Sequence, residues 1–320
     1  LCESGFSTTC ASGRTMAREV IMKRPSMVAL VEDYLTMRRQ LGFALKISGH
    51  RLLRFARFAD DKGHRGPITL KLATQWARSN APRPITWAAR IELLRPFAKY
   101  RVQFDPATEI PPSHLFGSYR RRLVPHIYTT EEIQSLLTAA SQLPPAGGLR
   151  PATYETLFGL LAVTGLRISE ALHLKLQDVD LEDGIITVRE TKFCKSRLVP
   201  LHPTSTKVLQ RYAHLRDVKV PIPPVSDFFL SDGGRRMLQD TVQRRFRHLC
   251  NQLHWRSRGG HPTPRIQDLR HSFITHCLLR WYRENINVDN KMLSLSTYVG
   301  HAEVTYTYWY VTGIPELMAI

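Results

Sequence analysis

Gly184-Ile-Ile-Thr-Val-Arg189 and Arg197-Leu-Val-Pro-Leu201 are two short β-branched runs flanking a polar, basic loop at 190–196. Runs this short, rich in Ile and Val and bounded by turn formers, predict two strands of a small antiparallel sheet. What surrounds them is helical. Upstream, Thr129-x-x-Glu132 has the form of a capping box, and Ile133, Leu136, Leu137 and Ala140 follow at helical spacing. A Pro/Gly loop at 144–148 precedes a largely buried helix ending near Gly165, and another helix is expected over about 168–174. Downstream, helices are expected over 204–217, 239–254 and 268–282. Strands and helices do not alternate, which argues against a doubly wound sheet. The expected class is a multidomain, mainly α chain whose unit at 128–320 is mixed α+β with one small antiparallel sheet.

Further toward the N-terminus the pattern is all helical. Ser26, after Pro25, caps a helix whose Val28, Val31, Tyr34 and Leu35 share a face. A second helix over about 47–61 has Leu52, Leu53, Phe55, Ala56 and Ala59 as apolar positions, and Arg51, Arg54 and Arg57 rise along its other side. Helices at 69–79 and about 85–101, the latter with Trp87, Ile91, Leu94 and Ala98, complete a compact unit over 25–104. Prolines at 106, 111, 112 and 125, with Tyr119-Arg-Arg-Arg122 between them, mark 105–127 as a linker. Residues 1–24 read as a disordered extension or an expression remnant, because 1–15 lack the apolar core of a secretion signal.

Lys and Arg outnumber Asp and Glu by 45 to 27, a net charge of +18. That excess on a chain with 43% hydrophobic residues excludes wholesale disorder and points to a polyanion, nucleic acid ahead of a membrane surface. No apolar run is long enough to cross a bilayer. Five cysteines without a C-x-x-C pair suit a reducing, cytoplasmic setting rather than a disulfide framework. His248-x-Cys250-x3-His254 is the nearest approach to a metal cluster, and it reads as a half-buried Cys beside surface histidines.

Four segments carry chemistry: Thr164-Gly-Leu-Arg-Ile-Ser-Glu-Ala-Leu172; Lys192-Phe-Cys-Lys-Ser-Arg-Leu-Val-Pro-Leu201; Gln267-Asp-Leu-Arg-His-Ser-Phe273; and Val299-Gly-His-Ala-Glu-Val-Thr-Tyr-Thr-Tyr-Trp-Tyr310. In this order they resemble the catalytic domain of tyrosine recombinases, the phage-integrase family that includes Xer, Cre and mobile-element integrases. The resemblance spans about 129–311, and the helical unit at 25–104 is similar in architecture to that family's core-binding domain. It implies a site-specific DNA recombinase or integrase, serving a mobile element, that cuts and rejoins strands through a 3′-phosphotyrosine. By the same carry-over, Arg167 and Arg270 clamp the scissile phosphate and Tyr310 attacks it. Lys192 protonates the leaving oxygen, His301 donates a hydrogen bond to the phosphate, and Glu170 and His271 hold their neighbours in place. The chemistry suits the residue types: planar guanidinium groups grip two phosphate oxygens, and a phenol can form a covalent link that splits one transfer into two. No cofactor, metal or nucleotide is implied. The implied partners are duplex DNA at recombination sites and further copies of the chain in a tetramer on that DNA, with no membrane. The Arg51, Arg54 and Arg57 stripe is a candidate phosphate contact, or a solvated face.

Taken one at a time, these residues have plainer readings. Arg167 reads as a helix-capping cation, Arg270 as a salt-bridge partner, and the alternating Tyr306, Tyr308 and Tyr310 as a half-buried strand edge or an aromatic core patch. Lys195 rivals Lys192 within one loop. Two departures from the family pattern stand out. Gln267 occupies a position usually held by His or Lys, and an amide cannot exchange a proton near neutral pH. The chain also stops ten residues after Tyr310, at Pro315-Glu-Leu-Met-Ala-Ile320, which reads as a helix just starting and so as a clipped end. Two alternatives follow: a catalytically degenerate DNA-binding protein of the same fold, or a relaxing enzyme like the type IB topoisomerases.

Overall fold

The computed structural model describes residues 25–119, 122–189 and 196–313. Lys192, Lys195, the N-terminal segment 1–24 and the run 315–320 lie outside the described residues. The chain divides into two compact units, residues 1–121 and 122–320.

The first unit is built from α1 (Met27–Gln40), α2 (Lys46–Asp61), α3 (Leu70–Arg78) and α4 (Pro84–Arg101). The Ser26 hydroxyl accepts from the Ala29 N–H, as expected of an N-cap. The start of α1 is also capped from outside: Asp60, near the end of α2, accepts from the N–H groups of Met27 (2.8 Å) and Val28 (3.0 Å). Val31, Leu35, Phe55, Ala59, Trp76, Leu94 and Phe97 form the core. Proline-rich residues beyond α4 are not a free linker. The Glu109 N–H donates to the Ile68 carbonyl, and Leu115 and Phe116 pack on this core. On the other side, Ile127 and Tyr128 are buried in the second unit. The segment 105–127 is therefore shared between the two units, because its scattered Leu, Phe and Ile side chains find apolar faces that prolines alone do not reveal.

The second unit contains α5 (Thr130–Ser141), α6 (Leu149–Thr164), the short α7 (Ile168–Leu172), and strands β1 (Val179–Asp180), β2 (Ile185–Val188) and β3 (Arg197–Pro200). Next come α8 (Pro203–Lys219), α9 (Gln239–Gln252), α10 (Gln267–Arg283), α11 (Val288–Val299) and α12 (Thr305–Gly313). The capping box is present: Thr129 Oγ1 accepts from the Glu132 N–H, and the Glu132 carboxylate accepts from the Thr129 N–H. The sheet is antiparallel in the order β1-β2-β3, with Ile186 opposite Val199. This mainly helical chain with one small antiparallel sheet is the expected class. Leu157, Phe158, Ile186, Val199, Phe228 and Phe246 fill one core, and Ile274, Leu278, Met292, Leu295, Val299 and Tyr310 a second.

Three elements differ from expectation. The strand β1 is too short for alternation to reveal it. The helix α11 has Val288, Met292, Leu295 and Val299 on its buried face, a legible helical period between the Asn287 cap and Gly300. The run Tyr306-Tyr308-Tyr310 is helical rather than a strand edge. Tyr306 and Tyr308 are exposed, whereas Thr307 and Tyr310, three residues apart, share the buried face.

Candidate active site

The link from α6 to α7 turns at Gly165, which sits at φ 63° in the left-handed region. A Cβ there would lie 2.6 Å from Phe273 Cδ1, so only hydrogen fits. The turn brings Arg167 to the start of α7. Its N–H donates to Glu170 Oε2 (3.0 Å), its Nη1 to Glu170 Oε1 (2.7 Å), and its Nη2 to the Gly300 carbonyl (3.1 Å). Arg197 on β3 holds the same carboxylate from the other side, with Nη2 2.8 Å from Oε2, while its Nε donates to the Tyr298 carbonyl. Burial alone would raise the Glu170 pKa. Hydrogen bonds and charge from Arg197, then Arg167, outweigh it and keep the carboxyl below its ordinary range. Arg167 is thus braced from behind while 34% of its side chain remains exposed.

Arg270 projects from the first turn of α10 and is 3% exposed. Its Nη1 donates to the Gly165 carbonyl (2.8 Å), but Nη2 is buried and has no partner among the described residues. Burial and the nearby Arg167 charge press the Arg270 pKa down. An interior cation with an unfilled donor is costly unless an anion supplies the missing acceptor.

One residue on, His271 Nδ1 lies 2.6 Å from Tyr310 Oη. The Tyr310 ring also stacks on His301, with centroids 6.3 Å apart and planes at 15°, and His301 Nδ1 is 2.7 Å from Thr307 Oγ1. Burial pushes the Tyr310 phenol up to about 12, against the lowering charges of Arg270, Arg122 and Arg167. Burial likewise pushes His271 down to about 4 and His301 down to about 3, so both rings are neutral at pH 7. An un-ionised phenol, two neutral imidazoles and two guanidinium groups meet here. The arrangement can bind a phosphate and present it with an oxygen nucleophile.

The phage integrase family pattern matches residues 127–313. A protein of Sinorhizobium fredii named as an integrase/recombinase, y4rB, is 43% identical over 90% of this chain and 93% of its own length. The tyrosine recombinase XerD of Listeria innocua is 29% identical over 75% of this chain and 76% of its own length. Among solved structures, the Tn1549 transposon integrase in complex with transposon right end DNA has a TM-score of 0.66 at 19% identity, covering 89% of this chain and 94% of that one. The recombinase XerH bound to its difH substrate, before cleavage, has a TM-score of 0.63 at 19% identity, covering 91% of this chain and 83% of that one. The chain belongs to the phage integrase family. Members of that family, the tyrosine recombinases, are site-specific DNA recombinases.

In this tyrosine recombinase, Arg167, Glu170, Arg270, His271, His301 and Tyr310 come together. Gln267 lies one helical turn before Arg270 on α10, half-buried, and its amide has no hydrogen-bond partner among the described residues. Arg51, Arg54 and Arg57 belong to the first unit and are all exposed. Arg51 and Arg54 line a hollow of about 370 Å³ with Arg90 and Trp76, and Arg57 does not. The stripe drifts: steps of three residues fall short of a full turn of 3.6, so Arg57 has rotated away from Arg51. Arg90 escaped the sequence reading. Its Nη1 donates to the carbonyls of Trp76, Ala77 and Ser79 at the end of α3, and its pKa is lowered by burial and by the charges of Arg54 and Arg51.

Two more residues of the second unit were not legible beforehand. Arg197 sits in a motif segment, but its role as the second brace of Glu170 depends on its side chain reaching across 27 residues of chain to α7. Arg122, in the proline-rich run, places its guanidinium 3.9 Å above the Trp309 ring, next to Tyr310. At Cys250 the structure finds a buried core residue between exposed His248 and His254.

Proposed function

We propose that this chain cuts and rejoins duplex DNA at specific sites of a mobile element through a 3′-phosphotyrosine at Tyr310. The observation that carries this reading is Arg270: its Nη2 is buried without a partner among the described residues, its charge acts on the Tyr310 hydroxyl, and a phosphodiester oxygen would satisfy it. Arg167 grips the second non-bridging oxygen, and the two cations stabilise the charge that grows as phosphorus becomes pentacovalent. His301, neutral, donates a hydrogen bond to the phosphate. Lys192 protonates the departing 5′ oxygen, and Gln267 positions the phosphate without exchanging a proton. The phosphotyrosine conserves the bond, so no metal or nucleotide is needed. Duplex DNA as partner is supported by the net charge of +18 and by relatives solved on their DNA sites. An integrating or recombining role is supported by the 43% identical protein named integrase/recombinase. Assembly as a tetramer on DNA belongs to the same reading.

A nicked suicide substrate in EDTA tests it. The wild type should form a detergent-resistant DNA adduct that Tyr310→Phe loses. An adduct that survives in Tyr310→Phe but vanishes in Tyr308→Phe would move the nucleophile, and a requirement for Mg²⁺ would remove the mechanism.

A further inference from the structure

Attack by a phenol requires its proton to go somewhere. Among the described residues, the only hydrogen-bond partner of Tyr310 Oη is His271 Nδ1, at 2.6 Å. The other candidates are committed or unsuited. His301 turns its Nδ1 to Thr307, Glu170 is taken up by two arginines, and Gln267 bears an amide. We propose that His271, beyond holding its neighbours in place, is the catalytic base of this recombinase: its Nδ1 accepts the Tyr310 proton as the phenol oxygen attacks. This rests on the reading of Tyr310 as nucleophile.

The step balances without further reagents. The Tyr310 O–H bond breaks and its proton passes to Nδ1, whose ring carries its other hydrogen on Nε2. The phenolate oxygen bonds to phosphorus, the bond from phosphorus to the 5′ oxygen breaks, and that oxygen takes its proton from Lys192. On rejoining, the 5′ hydroxyl gives its proton back to Lys192 as its oxygen bonds to phosphorus, the bond from phosphorus to the Tyr310 oxygen breaks, and the His271 imidazolium returns its proton to that oxygen.

The surroundings make this base conditional on DNA. Asp268 favours an imidazolium at His271, whereas burial, Arg265, Arg270 and Arg122 oppose it. Arg167, with Arg270 and Arg122, also acts on Tyr310 and favours its ionised form. A phosphodiester entering between Arg167 and Arg270 offsets their positive charge, so His271 becomes basic when the substrate is in place. In the free chain the phenol keeps its proton and stays unreactive.

Single-turnover cleavage of the nicked substrate by the full chain across about pH 6–9 tests the proposal. His271→Gln keeps an acceptor for the phenol hydroxyl but cannot take up a proton. It should bind DNA with unchanged affinity and cleave roughly 10²–10⁴-fold more slowly at neutral pH. Its rate should climb about tenfold per pH unit as the phenol ionises unaided, where the wild-type rate is level. Added imidazole should restore His271→Ala and not His271→Gln. A His271→Gln rate equal to wild type, or a slow rate with the wild-type pH profile and no rescue by imidazole, would overturn the role. Independently of any variant, ¹⁵N spectra of the wild type should show the lone pair on Nδ1, and a protonated Nδ1 in the neutral ring would overturn it. If the wild type forms no adduct at Tyr310 at all, the reading of the nucleophile fails first and takes this proposal with it.

Discussion

Gln267 tests how much of the chemistry one side chain can lose. If it only positions the phosphate, Gln267→Ala should slow single-turnover cleavage with little loss of DNA affinity, because one neutral hydrogen bond is small beside many phosphate contacts. Gln267→His should match or exceed wild type, the gain bounded by the roughly 10²–10⁴-fold worth of acid–base assistance. An inert wild type beside an active Gln267→His would make the natural protein a DNA-binding module. Protonation also shapes stability at this scale. His271 is held near 4 when folded against an ordinary 6.5, so below about pH 6.5 the unfolded chain binds a proton that the folded chain refuses. Stability is therefore full above pH 6.5 and falls as pH drops toward about 4, by at most about 3 kcal/mol for this residue. Urea unfolding at stepped pH should show that loss shrink in His271→Gln. Tyr310, Arg167 and Arg270 were legible as residue types in ordered motifs, whereas the Arg122 stack on Trp309 was not, because a cation in a proline-rich run carries no local sign of what it covers.

Elements show where local rules suffice and where they mislead. The capping box of α5 and the Gly165 turn follow from interactions within a few residues, and both were readable. The tyrosines of α12 alternate in the chain and so mimic a strand, yet Val304 and its neighbours close helical hydrogen bonds and only Tyr310 turns inward. Gly300 joins α11 to this region at φ 70°, and a Cβ there would lie 2.5 Å from Arg197 Nη1. Gly300→Ala should cost about 1–3 kcal/mol from the left-handed backbone alone. It should also slow cleavage, because displacing Arg197 loosens Glu170 and, through it, Arg167. Denaturation midpoints paired with adduct formation will check both, and a stable, fully active Gly300→Ala would show that the brace is dispensable.

At the scale of the whole molecule, a net charge of +18 makes DNA affinity steeply salt-dependent, with a log–log slope of about −0.9 per phosphate neutralised. Arg51 and Arg54 share one hollow with Arg90, so replacing both by Ala should flatten the slope by roughly two, and Arg57→Ala should change it little. Filter binding over a salt series decides this, and an unchanged slope in the double variant would assign the stripe to solvent. The sequence by itself determined the residue types, their order and most of their helices, because periodicity, caps and glycine turns act over three to seven neighbours. Tertiary structure alone decided which of them meet. Arg167 reaches the carbonyl of a glycine 133 residues away, and Arg270 one 105 residues away. The unfilled Nη2 of Arg270, the His271 contact with Tyr310 and the split of the proline-rich segment all arise from packing between distant surfaces. Such contacts depend on rotamers and burial that each element acquires only when the others are in place.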